Sequence, residues 1–344
     1  MLKKEGKRAE PEERGRLDKR AVEGFMLKLV SGAIFEVKGL VHPPGLVVAY
    51  PRYVPTERGE LMKVYPWAER LELLRGRFKA YMRSDPVLGD EFCEVPWRDV
   101  ARTFDPVEAL GRLRERDTLD PVERDAVELA ELLRAEAGMP WRAIGLTGSV
   151  MLGLHKPSSD VDIVIYGREE AKKAHEALRS LMSSGILRPY GPEELVRLHA
   201  LRSTDTPMDF KTFAQVERRK VVQGFFRGRE YFMRFVVSKE PEPYGAVRFS
   251  RAGRATIRAT VVSDEEAIFT PCSYGIADVD VLDGPELGPI RAICSFRGRF
   301  CEHARPGERV VAKGKLELVI EPGREAWYRL VVGNEPGDFF TPML

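Results

Sequence analysis

One stretch restricts the fold of this chain more than any other. Residues 143–167 read A-I-G-L-T-G-S-V-M-L-G-L-H-K-P-S-S-D-V-D-I-V-I-Y-G. A short apolar run ends in a sharp turn at Gly148 and Ser149, and ten residues later a second apolar run begins. Asp160 and Asp162 are the only charges in that second run before Gly167. Strand side chains alternate faces at about 3.3 Å per residue, so the two carboxylates point the same way roughly 6–7 Å apart. Two acids on one strand face repel each other unless a cation lies between them. Hard oxygen donors of this kind suit Mg²⁺ or Mn²⁺.

The turn supplies a complementary half. A strand that runs into Gly-Ser and then a helical stretch leaves backbone N–H groups and a hydroxyl facing open space, which is a natural phosphate cradle. Gly148 has no Cβ to keep the backbone away. A cradle and a pair of metal-binding acids on neighbouring strands make a site for a metal-bound nucleoside triphosphate. The plainer alternative is a strand–turn–helix–strand unit with a chance D-x-D.

The order G-S, about ten residues, then D-h-D-h (h apolar) resembles the signature of the DNA polymerase beta-type nucleotidyltransferase superfamily. The likeness covers residues 144–213. It implies transfer of a nucleoside monophosphate from a triphosphate to an acceptor hydroxyl, with pyrophosphate released. It also implies two divalent ions held by Asp160 and Asp162, and phosphates held by Gly148 and Ser149. A third carboxylate is needed from a later strand. Asp209, flanked by apolar residues in P-M-D-F-K-T-F, is the first candidate to bind the metal nearest the acceptor, and Asp205 the second. Nothing in the sequence chooses between ATP, CTP and the other nucleotides.

A length of 344 residues predicts two or three domains. No apolar run reaches the 18–20 residues of a membrane span, and no leader opens the chain, so a soluble cytoplasmic protein is expected. Charged residues reach 31%, while Gln215, Gln223 and Asn334 are the only side-chain amides. That balance is the one found in hyperthermophiles. Cys93, Cys272, Cys294 and Cys301 contain no C-x-x-C pair. Cys272, Cys294, Cys301 and His303 match no standard zinc spacing, so buried free thiols are expected.

The expected fold class is α+β. A polymerase beta-like core of mixed sheet and helices is joined to an N-terminal α/β region and a C-terminal all-β, barrel-like domain. Residues 1–20 read as a mobile charged tail, 21–105 as a hairpin-containing region, 106–240 as the core and 241–344 as the β domain, OB-like or another small barrel. Two β-rich runs around His42-Pro43-Pro44-Gly45 predict a hairpin. Its wording, F-E-V-K-G-L-V-H-P-P-G and A-Y-P-R-Y, is similar to an archaeal family of predicted nucleotidyltransferases. Arg52, Tyr53, Arg58 and Lys63 could form an acceptor or phosphate surface, or an exposed hairpin edge. Residues 89–104 read as irregular.

Asp120, Pro121 and Glu123 open a helix that Gly138 closes. A second amphipathic helix covers residues 168–183. His155 lies in the loop before Asp160, where it could touch a nucleotide or merely meet solvent. Arg218, Arg219, Lys220, Arg227, Arg229 and Arg234 alternate with Phe225, Phe226, Tyr231, Phe232 and Phe235. This mixture suits either phosphate contact with base stacking or a strand pair around Gly228. Net charge is only +2. RNA is nevertheless the leading acceptor, because the arginine–aromatic run and a possible nucleic-acid-binding barrel follow the core. A small molecule or protein acceptor is the runner-up, and a non-catalytic nucleotide- or RNA-binding protein the third reading.

Overall fold

The computed structural model describes residues 20–64 and 67–344. The charged tail before Arg20 lies outside the described residues. The N-terminal region is built from β1 (Met26–Leu29), β2 (Ile34–Val37), β3 (Leu46–Pro55) and β4 (Leu61–Lys63), then α1 (Trp67–Arg75) and β5 (Met82–Asp85), β6 (Asp90–Pro96) and β7 (Val100–Phe104). These strands form one antiparallel sheet in the order β5-β6-β3-β2-β1-β7, with β4 beside β3. The expected hairpin is present, with Val37 opposite Ala49. The expectation of irregular chain over residues 89–104 is corrected, since β6 and β7 occupy it. Their charged sequence carries little strand signal of its own. Pairing with β3 and β5 on one side and with β1 on the other supplies what local propensity lacks.

The middle of the chain runs α2 (Pro106–Arg114), α3 (Pro121–Ala137), β8 (Ile144–Leu146), α4 (Gly148–Leu152), β9 (Val161–Tyr166), α5 (Arg168–Ser183), β10 (Leu187–Arg188), α6 (Pro192–Arg202), α7 (Phe210–Arg218), β11 (Gln223–Phe226) and β12 (Arg229–Val236). The capping box of Asp120 and Glu123 starts α3, and Gly138 ends it in the left-handed region at φ 60°. The sheet order is β10-β11-β12-β9-β8, and the β9–β12 pair is parallel. A parallel pair needs a long crossover, which α5, α6 and α7 provide.

Alternation along β9 sends its two faces to different partners. Val161, Ile163 and Ile165 join the core under α3 and α5, with Ala126, Leu129, Ala130, Ala174 and Leu178. Val164 and Tyr166 point the other way, into the core of the N-terminal sheet with Phe25, Leu27 and Val37. β9 is therefore covered by α3 and α5 on one face and by the N-terminal sheet on the other. Asp160 and Asp162 belong to the second face.

Beyond Gly245 no α-helix occurs among the described residues. The strands are β13 (Arg248–Glu266), β14 (Cys272–Asp283), β15 (Ile290–Ser295), β16 (Arg309–Ile320), β17 (Trp327–Val331) and β18 (Phe339–Pro342). Pairing runs β13-β14-β15-β17-β16, and β16 also pairs with β13, which gives a barrel-like arrangement. Only the β15–β17 pair is parallel, and β18 adds to β16. The inward residues of this region, Ile257, Ala259, Ile293, Val310 and Leu330 among them, are continuous with the core under α3 and α5. The four cysteines are buried free thiols, as expected. His303 turns its Nε2 to the Phe340 carbonyl at 2.7 Å rather than toward a sulfur.

Candidate active site

β8 delivers the chain to the turn, and β9 carries the acids back beside it. Ile144, Gly145 and Leu146 pair with Ile165, Val164 and Ile163, and the Thr147 N–H donates to the Asp162 carbonyl at 2.9 Å. The Thr147 hydroxyl donates to the Gly24 carbonyl at 2.7 Å, which ties the turn to the N-terminal sheet. Gly148 follows at φ 70°. A Cβ there would overlap a carboxylate oxygen of Asp162 and lie 3.0 Å from its Cγ. The backbone of the turn thus touches the Asp162 carboxylate directly, and only glycine permits it. Ser149 is buried beside it.

Asp160 and Asp162 are half-buried on the same strand face. Burial, and then the neighbouring Asp160, push the Asp162 carboxyl up to about 7, against the pull of Arg234, Arg52 and Lys63. Two half-buried carboxylates on one strand face, one raising the other, fit a divalent cation. Four of the five residues singled out in the sequence, Gly148, Ser149, Asp160 and Asp162, therefore come together at one end of β9.

The strand reading of Asp209 is corrected. Asp209 is the exposed N-cap of α7, accepting a hydrogen bond from the Thr212 N–H at 2.9 Å. That bond holds its carboxyl below the usual range. Phe213 of α7 packs with Tyr190, Leu195 and Phe225, over β11 and two strands from β9. The apolar spacing of Phe213 and Val216 is helical and outweighs the short alternation around Asp209. Asp205 is engaged elsewhere, with Arg297 at 2.7 Å and Arg299 at 3.7 Å.

The strand beside β9 is β12, and its carboxylate was missed in the sequence. Tyr231 pairs with Val161 and Phe232 with Asp162. Glu230 precedes Tyr231, so by alternation it points to the same face of the sheet as Phe232 and Asp162. Glu230 is exposed and accepts a hydrogen bond from the Tyr190 hydroxyl. The signal was present in R-E-Y-F-M-R-F-V, where Glu230, Phe232 and Arg234 alternate with buried Tyr231, Met233 and Phe235.

The arginine–aromatic run resolves mostly toward the strand-pair reading. Phe226, Tyr231 and Phe235 are buried. Arg219 pairs with Glu308, Arg227 with Glu128, Arg229 with Asp125 and Arg234 with Glu23. Arg234 also reaches Glu36 at 3.5 Å. It therefore clasps the N-terminal sheet to the central one next to Asp162. His155 is held by the Asp120 carboxylate at 2.7 Å. Asp120, Glu123 and His155 present donor atoms within 4.8 Å of one another. Their carboxylates are already committed to the α3 capping box, to His155 and to Arg116, so this cluster is accounted for as a helix start.

Residues 128–229 match the family model of the nucleotidyltransferase domain. The chain is also similar to an uncharacterised protein of Methanocaldococcus jannaschii, 29% identical over 325 residues, covering 90% of this chain and 94% of that protein. No solved structure matches. Among the described residues no helix is long and apolar enough to cross a membrane.

Proposed function

We propose that this chain, whose residues 128–229 match the family model of a nucleotidyltransferase domain, moves a nucleoside monophosphate from a nucleoside triphosphate onto an acceptor hydroxyl. The acceptor oxygen attacks the α-phosphorus, the bond to the bridging oxygen breaks, and pyrophosphate leaves. The observation that carries the reading is the contact of Gly148 with the Asp162 carboxylate, which sets a phosphate cradle against a pair of acids.

Asp160 and Asp162 would hold a divalent cation, Mg²⁺ or Mn²⁺, with Glu230 in the third carboxylate position in place of Asp209. Such a cation, when bound, polarises phosphoryl oxygens and makes a nearby hydroxyl more acidic. The backbone amides at Gly148 and Ser149 and the Ser149 hydroxyl orient the β- and γ-phosphates and meet the charge that grows on the leaving group. Glu230 is the group placed to take up the acceptor proton.

RNA is the proposed acceptor. It is supported by the C-terminal strand order, first-second-third-fifth-fourth and back to the first with the third and fifth parallel, which is that of oligonucleotide-binding barrels. A small acceptor is the second reading, favoured by the engagement of Arg219, Arg227, Arg229 and Arg234 in ion pairs.

The test is pyrophosphate release from each of the four NTPs with Mg²⁺ or Mn²⁺, with and without total RNA, beside Asp162→Ala. Release that requires RNA and vanishes in the variant supports RNA nucleotidyl transfer. Equal release without RNA transfers support to a small or protein acceptor. Release that survives Asp162→Ala removes the assignment.

A further inference from the structure

β3 is interrupted at one position. Ile34 on β2 pairs with Tyr53, and the next residue, Phe35, pairs with Pro51, so Arg52 is the extra residue of a β-bulge. A bulge sets two consecutive residues against one and re-aims a side chain. Tyr53 packs with Met26 and Ile34 against Met151, Leu152 and Leu154, the helix that begins at Gly148 and the residues just after it. Leu61 of β4 joins this cluster. Lys63 lies two residues on, so it shares the face of Leu61, and it stands directly opposite Tyr53. Lys63 is therefore carried on the face of the N-terminal sheet that meets the cradle helix, and Arg52 adjoins Tyr53 in the bulge beside it. Arg52 is half-buried and Lys63 exposed. The charges of both reach the Asp162 carboxyl, and that of Arg52 reaches Tyr53 and Glu36 as well.

We propose that Arg52 and Lys63 form a phosphate-binding wall opposite Gly148 and Ser149 and grip the triphosphate tail of the nucleotide. This rests on the nucleotidyl-transfer reading and adds that the N-terminal sheet is part of the catalytic site. The chemistry requires such a wall. Asp160, Asp162 and Glu230 bring negative charge to a polyanionic substrate, and the cradle contributes only N–H groups and a hydroxyl. Arg234 is committed to Glu23 and Glu36. A guanidinium fork binds phosphate through two parallel hydrogen bonds, which a lysine cannot reproduce. The bulge takes Arg52 out of the regular alternation of β3, while Lys63 adds a point charge from the neighbouring strand.

The test is calorimetric titration of the full chain with Mg²⁺ and each of the four NTPs, the matching monophosphates and inorganic tripolyphosphate. Arg52→Ala is expected to weaken the preferred NTP and tripolyphosphate by about ten- to a hundredfold. The monophosphate should be affected far less. Arg52→Lys should recover part of the loss, and Lys63→Ala should cost less than Arg52→Ala. Thermal melting of each variant reports its folding, and Arg52→Lys serves if the alanine variant melts early. Arg52→Ala and Arg52→Lys that bind the NTP like wild type overturn the wall, while the transfer reading stands if Asp162→Ala still abolishes pyrophosphate release. Equal weakening of NTP and monophosphate, or a rise in acceptor KM alone, also overturns it. Wild-type protein that binds no NTP overturns both.

Discussion

The backbone of Gly148 lies against the carboxylate of Asp162, close enough that any Cβ would overlap it. The turn also sits at φ 70°, where an L side chain is strained. Gly148→Ala therefore meets two costs, about 1–2 kcal/mol of backbone strain and the displacement of an acid the reaction needs. The expected result is a lower melting temperature together with a loss of pyrophosphate release of about a hundredfold. A variant that melts early yet keeps full turnover would separate the turn from the chemistry.

Asp162 is expected to trade stability for function. Its carboxyl stands at about 7 in the folded chain, against an ordinary value of 3.8. The folded state thus holds a proton that the unfolded state releases, and stability falls as pH rises from 3.8 to about 7. Asp162→Asn should lose turnover but melt higher than wild type at pH 8, with a gain of at most about 4 kcal/mol. The gain should shrink as pH falls through that window and vanish below it. Mg²⁺ should raise the wild-type melting temperature and leave that of the variant unchanged. Melting curves across pH, with and without the ion, check both statements.

Glu230 and Asp209 are separated by a pair of conservative substitutions. Glu230→Gln keeps a hydrogen-bonding partner for Tyr190 and removes a charge from the start of β12, the strand paired with β9. Turnover should fall by about a hundredfold or more. Asp209→Asn keeps the α7 cap, because asparagine and aspartate are equivalent there. Turnover should remain within about twofold of wild type, the range expected of a surface substitution. The reverse pattern, measured by pyrophosphate release, would return the third carboxylate to Asp209.

What could be read from the sequence was what neighbours in the chain decide. The Asp120–Glu123 box and Gly138 define α3 within a few residues of each end. Asp160 and Asp162 share a face because a strand alternates every second residue. Asp209 misled because a few apolar neighbours mimic a strand, whereas Phe213 and Val216 reveal the helix only over a longer window. Glu230 was passed over, and Arg52 was left between a phosphate surface and a hairpin edge, for a different reason. The first depends on β12 pairing with β9 across three helices, and the second on a register shift between β2 and β3. Alternation along β12 is visible locally but its partner strand is not, so the acids of the motif could be read while the placement of the groups around them could not.

A buried ion pair at the end of α7 reaches the C-terminal region through a hydrogen bond from its lysine. Lys220 Nζ donates to Glu217 at 2.7 Å and to the Arg299 carbonyl at 2.6 Å. Arg202 donates to the second oxygen of Glu217 at 2.8 Å. Burial pushes the Glu217 carboxyl up, but Lys220 and Arg202 outweigh it and hold the group at about 2. A carboxyl depressed in this way contributes stability that is present above its ordinary value of 4.5 and lost as pH falls toward 2. Glu217→Gln leaves Lys220 buried without a counter-charge, which should cost about 3–5 kcal/mol at neutral pH. The gap in melting temperature between wild type and Glu217→Gln should be constant above pH 5 or so and close between 4.5 and 2. A gap that persists unchanged into acid would show that lost packing, not lost charge, accounts for the destabilisation. In that case Lys220→Met, which removes the cation but keeps most of the volume, should destabilise little.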